Sequence, residues 1–292
     1  MSGLKEIRTR ISSIKTTRQV TSAMKMVSAA KLKKAQDGII HFRPYAKKLH
    51  EILDHLAGTM DCYKESPYCV VRDYDRVLIV VISSNRGLCG GFNANIANIA
   101  EELILTQYAR QYSAGNVDIL AIGKQGERQL KNSGMKSSDN RNDLWNNLSF
   151  ENAVEIVDEI MEAFLKGRYD KVDLVFNEFV NAAVQLPVIS AFLPVQVKKA
   201  ESFSDCGLAI YEPSRHEIAM ELIPMMLKTE FYKALLDSFA SEHGARMTSM
   251  HMATDNATEL INELTLQYNK ARQATITKEI LEISAGAEAL RG

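Results

Sequence analysis

The sequence predicts a mixed α/β protein: a long antiparallel two-helix coiled coil formed by the N- and C-terminal helices, with a Rossmann-like α/β domain inserted between them. Three observations carry the prediction. Both ends are nearly free of helix breakers, with only Gly3 and Gly38 before Pro44 and only Gly244, Gly286 and Gly292 after Pro224. Alternate steps of three and four through the C-terminal zone land on Ala240, His243, Met247, Met250, Thr254, Ala257, Ile261, Leu264, Tyr268 and Ala271, of which eight are apolar. The middle changes period, with aliphatic runs alternating with helical stretches.

Taken in order, the first helix opens with Leu4, Ile7, Ile11 and Ile14 and then loosens through Val20, Met24 and Val27. As helix, residues 4–43 would run ~60 Å and residues 225–285 ~90 Å at 1.5 Å per residue. That is longer than a globular middle domain, so at least one helix is expected to project. "DRVLIVVIS" (75–83) reads as a strand buried on both faces. "NVDILAIG" (116–123), "KVDLVFNEFV" (171–180) and "VISAFLPVQV" (188–197) read as further strands, with helices over roughly 93–112, 124–132 and 150–166. The expected segments are 1–60 (N-terminal coiled-coil helix), 74–200 (α/β domain with a mostly parallel sheet) and 213–290 (C-terminal coiled-coil helix).

Composition excludes several functions. A net charge of −1 over 292 residues gives no global field toward nucleic acid or acidic lipid. The longest aliphatic run, "VLIVVI", is far too short to span a bilayer, and "MSGLKEIRTR" lacks the apolar stretch of an export signal. Membrane association is therefore expected only through partners. Cys62 and Cys69 stand close enough to invite a disulfide, but the absence of an export signal favours unpaired thiols.

The motifs that would carry chemistry are incomplete. "SSNRGLCGGFNANI" follows a strand and opens a helix, yet Gly87, Gly90 and Gly91 do not make GxGxxG; a tight turn is preferred over a phosphate cradle. "AIGKQG" lacks the rest of a P-loop. His50 and His55 are five apart, whereas a zinc helix needs four to put both imidazoles on one face. No active site, metal or cofactor is expected.

The charge is polarised. Residues 1–36 hold nine Lys/Arg against Glu6 alone, and the acids Asp255, Glu259, Glu263, Glu279, Glu282 and Glu288 are too few to neutralise the pair of helices. Three readings stand: a nucleic-acid contact, disfavoured because no aromatic residue precedes Phe42; burial against a partner with acidic loops; or a solvated basic face.

"LKEIRTRISSIKTTRQVTSAMKMVSAAKLKKAQ" and "YNKARQATITKEILEISAGAEAL" strongly resemble the two termini of the γ-subunit family of F-type ATP synthases, and "SSNRGLCGGFNANI", "YEPS" and "RMTSMHMATDNATELI" resemble its internal signatures. The resemblance spans residue 3 to about 290. It implies a central rotor shaft, without an active site of its own, coupling proton-driven c-ring rotation to ATP synthesis or hydrolysis at the α/β subunits. The implied partners are three α and three β subunits, ε and the membrane c-ring, with no nucleic acid. By the same resemblance, Met24, Lys25, Cys89, Arg246, Arg272, Gln273 and Thr277 match β-subunit contacts. Tyr211 and Glu212 match a c-ring contact, and Ile280, Leu281 and Ile283 the shaft tip inside an apolar α/β sleeve. None of the four cysteines sits in a plant-type redox insertion, so thiol control is not expected. The implied location is the cytoplasmic face of the bacterial inner membrane, or, for a mature organellar form, the mitochondrial inner membrane or thylakoid.

Overall fold

The computed structural model describes residues 2–59, 66–195, 212 and 214–289. Long helices open and close the chain: α1 (Ser2–Thr59) and α6 (Arg215–Ala289). Between them come β1 (Val77–Ile82), α2 (Phe92–Thr106), α3 (Ala109–Ser113), β2 (Val117–Ile122) and α4 (Lys124–Asn132). The two-residue β3 (Asp139–Asn140), a 3-10 turn (Asn142–Asn146), α5 (Phe150–Leu165), β4 (Lys171–Phe179) and β5 (Gln185–Leu193) complete the order. By compactness the chain forms two units, one of residues 1–28 with 247–292 and the other of residues 29–246.

The larger unit is built on a five-stranded sheet in the order β3-β2-β1-β4-β5. It is parallel except for the β4–β5 pair. β1 lies at the centre and every one of its residues is buried, which is why it reads as an unbroken aliphatic run. Its side chains alternate between two cores. Leu78, Val80 and Ile82 face α5 and the inner parts of α1 and α6, where Leu49, Leu53, Ile223, Leu227 and Phe231 complete the cluster. Val77, Ile79 and Val81 face α2, against Ile96, Ala100 and Ile104.

α1 runs through Pro44 and α6 through Pro224. Proline removes one intrahelical bond and frees the carbonyl four residues earlier; for Pro44 that residue is Ile40, on an exposed face where water can serve the carbonyl. The stretch 93–112 divides into α2 and α3, because Tyr108 turns inward to donate a hydrogen bond to the buried Asp173 carboxylate. The exposed polar pair of β3 carries no alternation to announce a strand.

The smaller unit is an antiparallel helix pair. Met250, Ala257, Ile261 and Leu264 are buried at the predicted seam positions of α6, with Thr254 and Tyr268 half-buried. On α1 the seam does not loosen through Val20, Met24 and Val27. It keeps step from Leu4, Ile7, Ile11 and Ile14 onto Arg18, Thr21, Lys25 and Ser28, all buried or half-buried, while Val20 and Val27 are 52% and 58% exposed. Hydroxyls fill the narrow seam there. Thr21 and Thr254 meet oxygen to oxygen at 2.9 Å, and each lies within hydrogen-bond reach of a carbonyl on its own helix. Counting outward from that pair sets Ile14 level with Ile261 and Ile11 level with Leu264.

Gly123, between β2 and α4, has φ +118°, and a Cβ there would stand 2.2 Å from the Ser83 carbonyl oxygen. Gly134, at φ +84°, faces open space. Gly123→Ala is therefore expected to cost about 3 kcal/mol or more in urea unfolding, and Gly134→Ala only about 1 kcal/mol.

Candidate functional site

In a doubly wound sheet, ligands bind beyond the strand C-termini where the strand order reverses. Here that point lies between β1 and β4, and protein already occupies it. Two serines of α6 bond the backbone of β4: Ser238 Oγ accepts from Asn177 N at 3.2 Å, and Ser241 Oγ donates to Asn177 O at 3.3 Å. The N-terminus of α4, the place for a phosphate, is likewise spent. Lys124 N donates to Asn85 Oδ1 at 3.1 Å, Gln125 N to Ser84 O at 3.0 Å and Gly126 N to Ser83 Oγ at 3.0 Å. "AIGKQG" is thus a strand-end turn.

The glycine-rich loop after β1 is held by Arg246, which is 6% exposed. Its guanidinium donates to Glu242 Oε1 at 2.5 Å, and to the carbonyls of Arg86 at 2.9 Å and Gly87 at 3.3 Å. It also lies 3.3 Å from His243 Nδ1. Burial and the neighbouring Arg246 and Lys31 cations push the His243 pKa down to about 3, so the ring is neutral and accepts from the guanidinium at Nδ1. Burial raises the Glu242 carboxyl against the pull of Arg246. Cys89 sits beneath the loop with Phe92 and Ala245, takes a hydrogen bond from Asn93 Nδ2 at 3.2 Å, and has its thiol pushed up by burial. A raised, enclosed thiol is a poor nucleophile. Between these anchors Leu88 is held at φ 62° with its side chain 66% exposed.

The helix-pair unit turns its adhesive groups outward. Val20, Met26 and Val27 on α1 and Met252, Leu260 and Leu266 on α6 are exposed, and from residue 276 to 288 every residue is exposed. Among the described residues, Lys5, Arg8, Arg10, Lys15, Arg18 and Lys25 make no ion pair; the pairs in this unit are His251–Asp255 and Lys278–Glu282, each within α6.

The ATP synthase family profile matches residues 3–290. The ATP synthase gamma chain of Flavobacterium johnsoniae is 53% identical over 292 residues, covering all of both chains. That of Cytophaga hutchinsonii is 47% identical over 293 residues, covering 99% of each. The chain belongs to the ATP synthase gamma-chain family. Its fold is also that of a chain in the cryo-EM structure of the Euglena gracilis mitochondrial ATP synthase OSCP/F1/c-ring, at a TM-score of 0.70 and 21% identity, covering 99% of this chain and 95% of that one. A chain of the Euglena rotor gives a TM-score of 0.68 at 20% identity, covering 94% and 99%.

For a gamma chain, the residues singled out by resemblance fall in distinct places. Cys89 and Arg246 come together, but both are buried within this chain, so what they present outward is the Arg86–Leu88 loop. Met24 and Lys25 are half-buried, Lys25 in the seam and Met24 next to it; Arg272, Gln273 and Thr277 are exposed. Thr277 Oγ1 donates to Gln273 O at 2.9 Å, which stacks those two on one helix face. By the seam register the two groups stand some 23 residues apart along the pair, ~35 Å. Ile280, Leu281 and Ile283 are exposed, Ile283 at 73%. Glu212 is exposed, and Tyr211 lies outside the described residues, as do Cys62 and Cys206. Cys69 and Cys89 are free thiols. Sequence reasoning missed Glu242, which looks like any helical acid, and Leu88, whose signal was its place between Gly87 and Gly90.

Removing Arg246 strands a buried carboxylate. Arg246→Ala is expected to cost about 3–5 kcal/mol in urea unfolding, and pairing it with Glu242→Gln should recover part of that. His243 titrates near 3 when folded and near 6.5 when unfolded. Its contribution is therefore complete above pH 6.5 and is lost as pH falls through that window toward 3, on the order of 5 kcal/mol in all. Asp237, raised to about 6 by burial, acts in the opposite sense. Subtracting the stability-versus-pH curve of His243→Gln from that of the wild type isolates the histidine.

Proposed function

We propose that this chain is the central shaft of a bacterial F-type ATP synthase, turning inside a ring of three α and three β subunits. The observation that carries the reading is how much the helix-pair unit leaves outside its seam: the seam is apolar at Ile11, Ile14, Ile261 and Leu264 but gives way to hydroxyls and alkyl stems around Thr21, while Val20, Met26, Val27, Met252 and Leu260 and unpaired cations stay exposed. A helix pair made only to be stable would bury those apolar groups. This one keeps them for a surface it does not itself supply. The end of α6, with Ile280, Leu281 and Ile283 exposed, suits an apolar sleeve made by the ring. The cations near Met24 and Lys25 suit an acidic segment of β.

Coupling then works by differential contact. An asymmetric rod within a threefold ring touches each β subunit differently, and each orientation favours whichever β conformation it contacts best. Small side chains and methionines keep any single orientation from becoming a trap. Arg272, Gln273 and Thr277 form a polar contact higher on the shaft, and the Arg86–Leu88 loop a further one. Tyr211 and Glu212 meet the c-ring, with ε alongside. Nucleotide chemistry belongs to the α/β subunits, in keeping with a switch-point crevice filled by α6. The complex sits on the cytoplasmic face of the inner membrane and this chain reaches the membrane only through partners; among the described residues no helix is long and apolar enough to cross one.

Reconstituted complex carrying Met24→Lys is expected to assemble normally but to pump at least twofold fewer protons per ATP hydrolysed, because a further cation is added to an already cationic contact. Unchanged pumping per ATP would count against the proposed contact.

A further inference from the structure

A cavity of about 550 Å³ opens in the larger unit between α1, α6 and the end of β4. The volume is that of a small-molecule site. Its apolar wall is Ile39, Phe42 and Leu236. Asp237 lines it too. This carboxyl is only 2% exposed, and its Oδ1 has no hydrogen-bond partner. A buried acceptor without a donor is costly, and its usual explanation is a missing partner.

Among the described residues none provides that partner. The Thr229 hydroxyl, on the same wall, is spent on Met225 O at 2.7 Å. His50 pairs with Glu230 at 3.3 Å. Arg43 of α1 and Lys233 of α6 line the cavity and act on Asp237 through space, but neither makes a hydrogen bond or ion pair among the described residues. The cavity thus presents an unspent buried acceptor, two unspent cations and an apolar wall.

We propose that this cavity binds a small amphipathic zwitterion: an ammonium group donating to Asp237, an anionic group between Arg43 and Lys233, and an apolar body against Ile39, Phe42 and Leu236. An apolar α-amino acid has this chemistry. The site is separate from the proposed ring contacts and does not depend on them. Glu178 of β4 also faces Asp237 and, with burial, holds its carboxyl up at about 6 against Arg43 and Lys233. Binding should therefore strengthen as pH rises through about 6, where Asp237 becomes the carboxylate an ammonium needs.

The test is titration of the full-length chain with L-phenylalanine, followed by isothermal calorimetry and by NMR of methyl groups at Ile39 and Leu236. Saturable binding is expected, at least tenfold tighter than that of phenethylamine or 3-phenylpropionate, which each lack one charge. Asp237→Asn should weaken it at least tenfold while leaving the chain folded by circular dichroism. Ile39→Trp, which fills the cavity, should abolish it. If L-phenylalanine fails to saturate, if either singly charged analogue binds as tightly, or if both variants bind like the wild type, the cavity holds only water and the proposal is wrong.

Discussion

The buried guanidinium of Arg246 is the constraint on which the larger unit's exposed Arg86–Leu88 loop depends. It is a charge taken out of water, tolerable only because Glu242, two loop carbonyls and the neutral His243 ring accept its hydrogen bonds. That requirement fixes where the Arg86–Gly87 backbone lies and which tautomer His243 adopts. It also leaves Leu88, at a positive φ, facing outward. Without the clamp, the glycines of this loop would leave it free to wander.

The same helix that supplies Arg246 fills the switch point at which a doubly wound sheet takes its ligand. A doubly wound sheet offers a crevice at its switch point and a helix N-terminus for phosphate. Here Ser238 and Ser241 of α6 serve the backbone of β4, and Ser83, Ser84 and Asn85 serve the first amides of α4. The groups that would bind a phosphate bind the protein instead. The scaffold is used to seat a helix, and function is left to surfaces.

Those surfaces follow a second logic in the helix-pair unit. Two helices bury a seam only as wide as the side chains within it, and Thr21, Thr254 and Ser28 make that seam narrow. Stability is surrendered inside so that valines, methionines and isoleucines remain outside. Such an arrangement makes sense only in an assembly, where a partner covers what the chain leaves bare.

Much of this was legible in residue order alone. The six aliphatics of β1 announce a strand buried on both sides, the three–four spacing from Met250 to Leu264 announces a seam, and the excess of cations over residues 1–36 announces a charge the helix pair does not itself neutralise. These are short-range patterns, set by the period of the helix or strand. What only the tertiary structure decided depends on groups distant in sequence. The α1 seam passes through Arg18, Thr21 and Lys25 because the register with α6, and not hydrophobicity, chooses the inward face. α1 and α6 continue through Pro44 and Pro224 despite the hydrogen bond each proline removes, because packing on the sheet holds the flanking turns. Cys89 and Arg246, candidates for outward contact by resemblance, meet in the interior since a loop at residue 86 and a helix at residue 246 are brought together only by the fold.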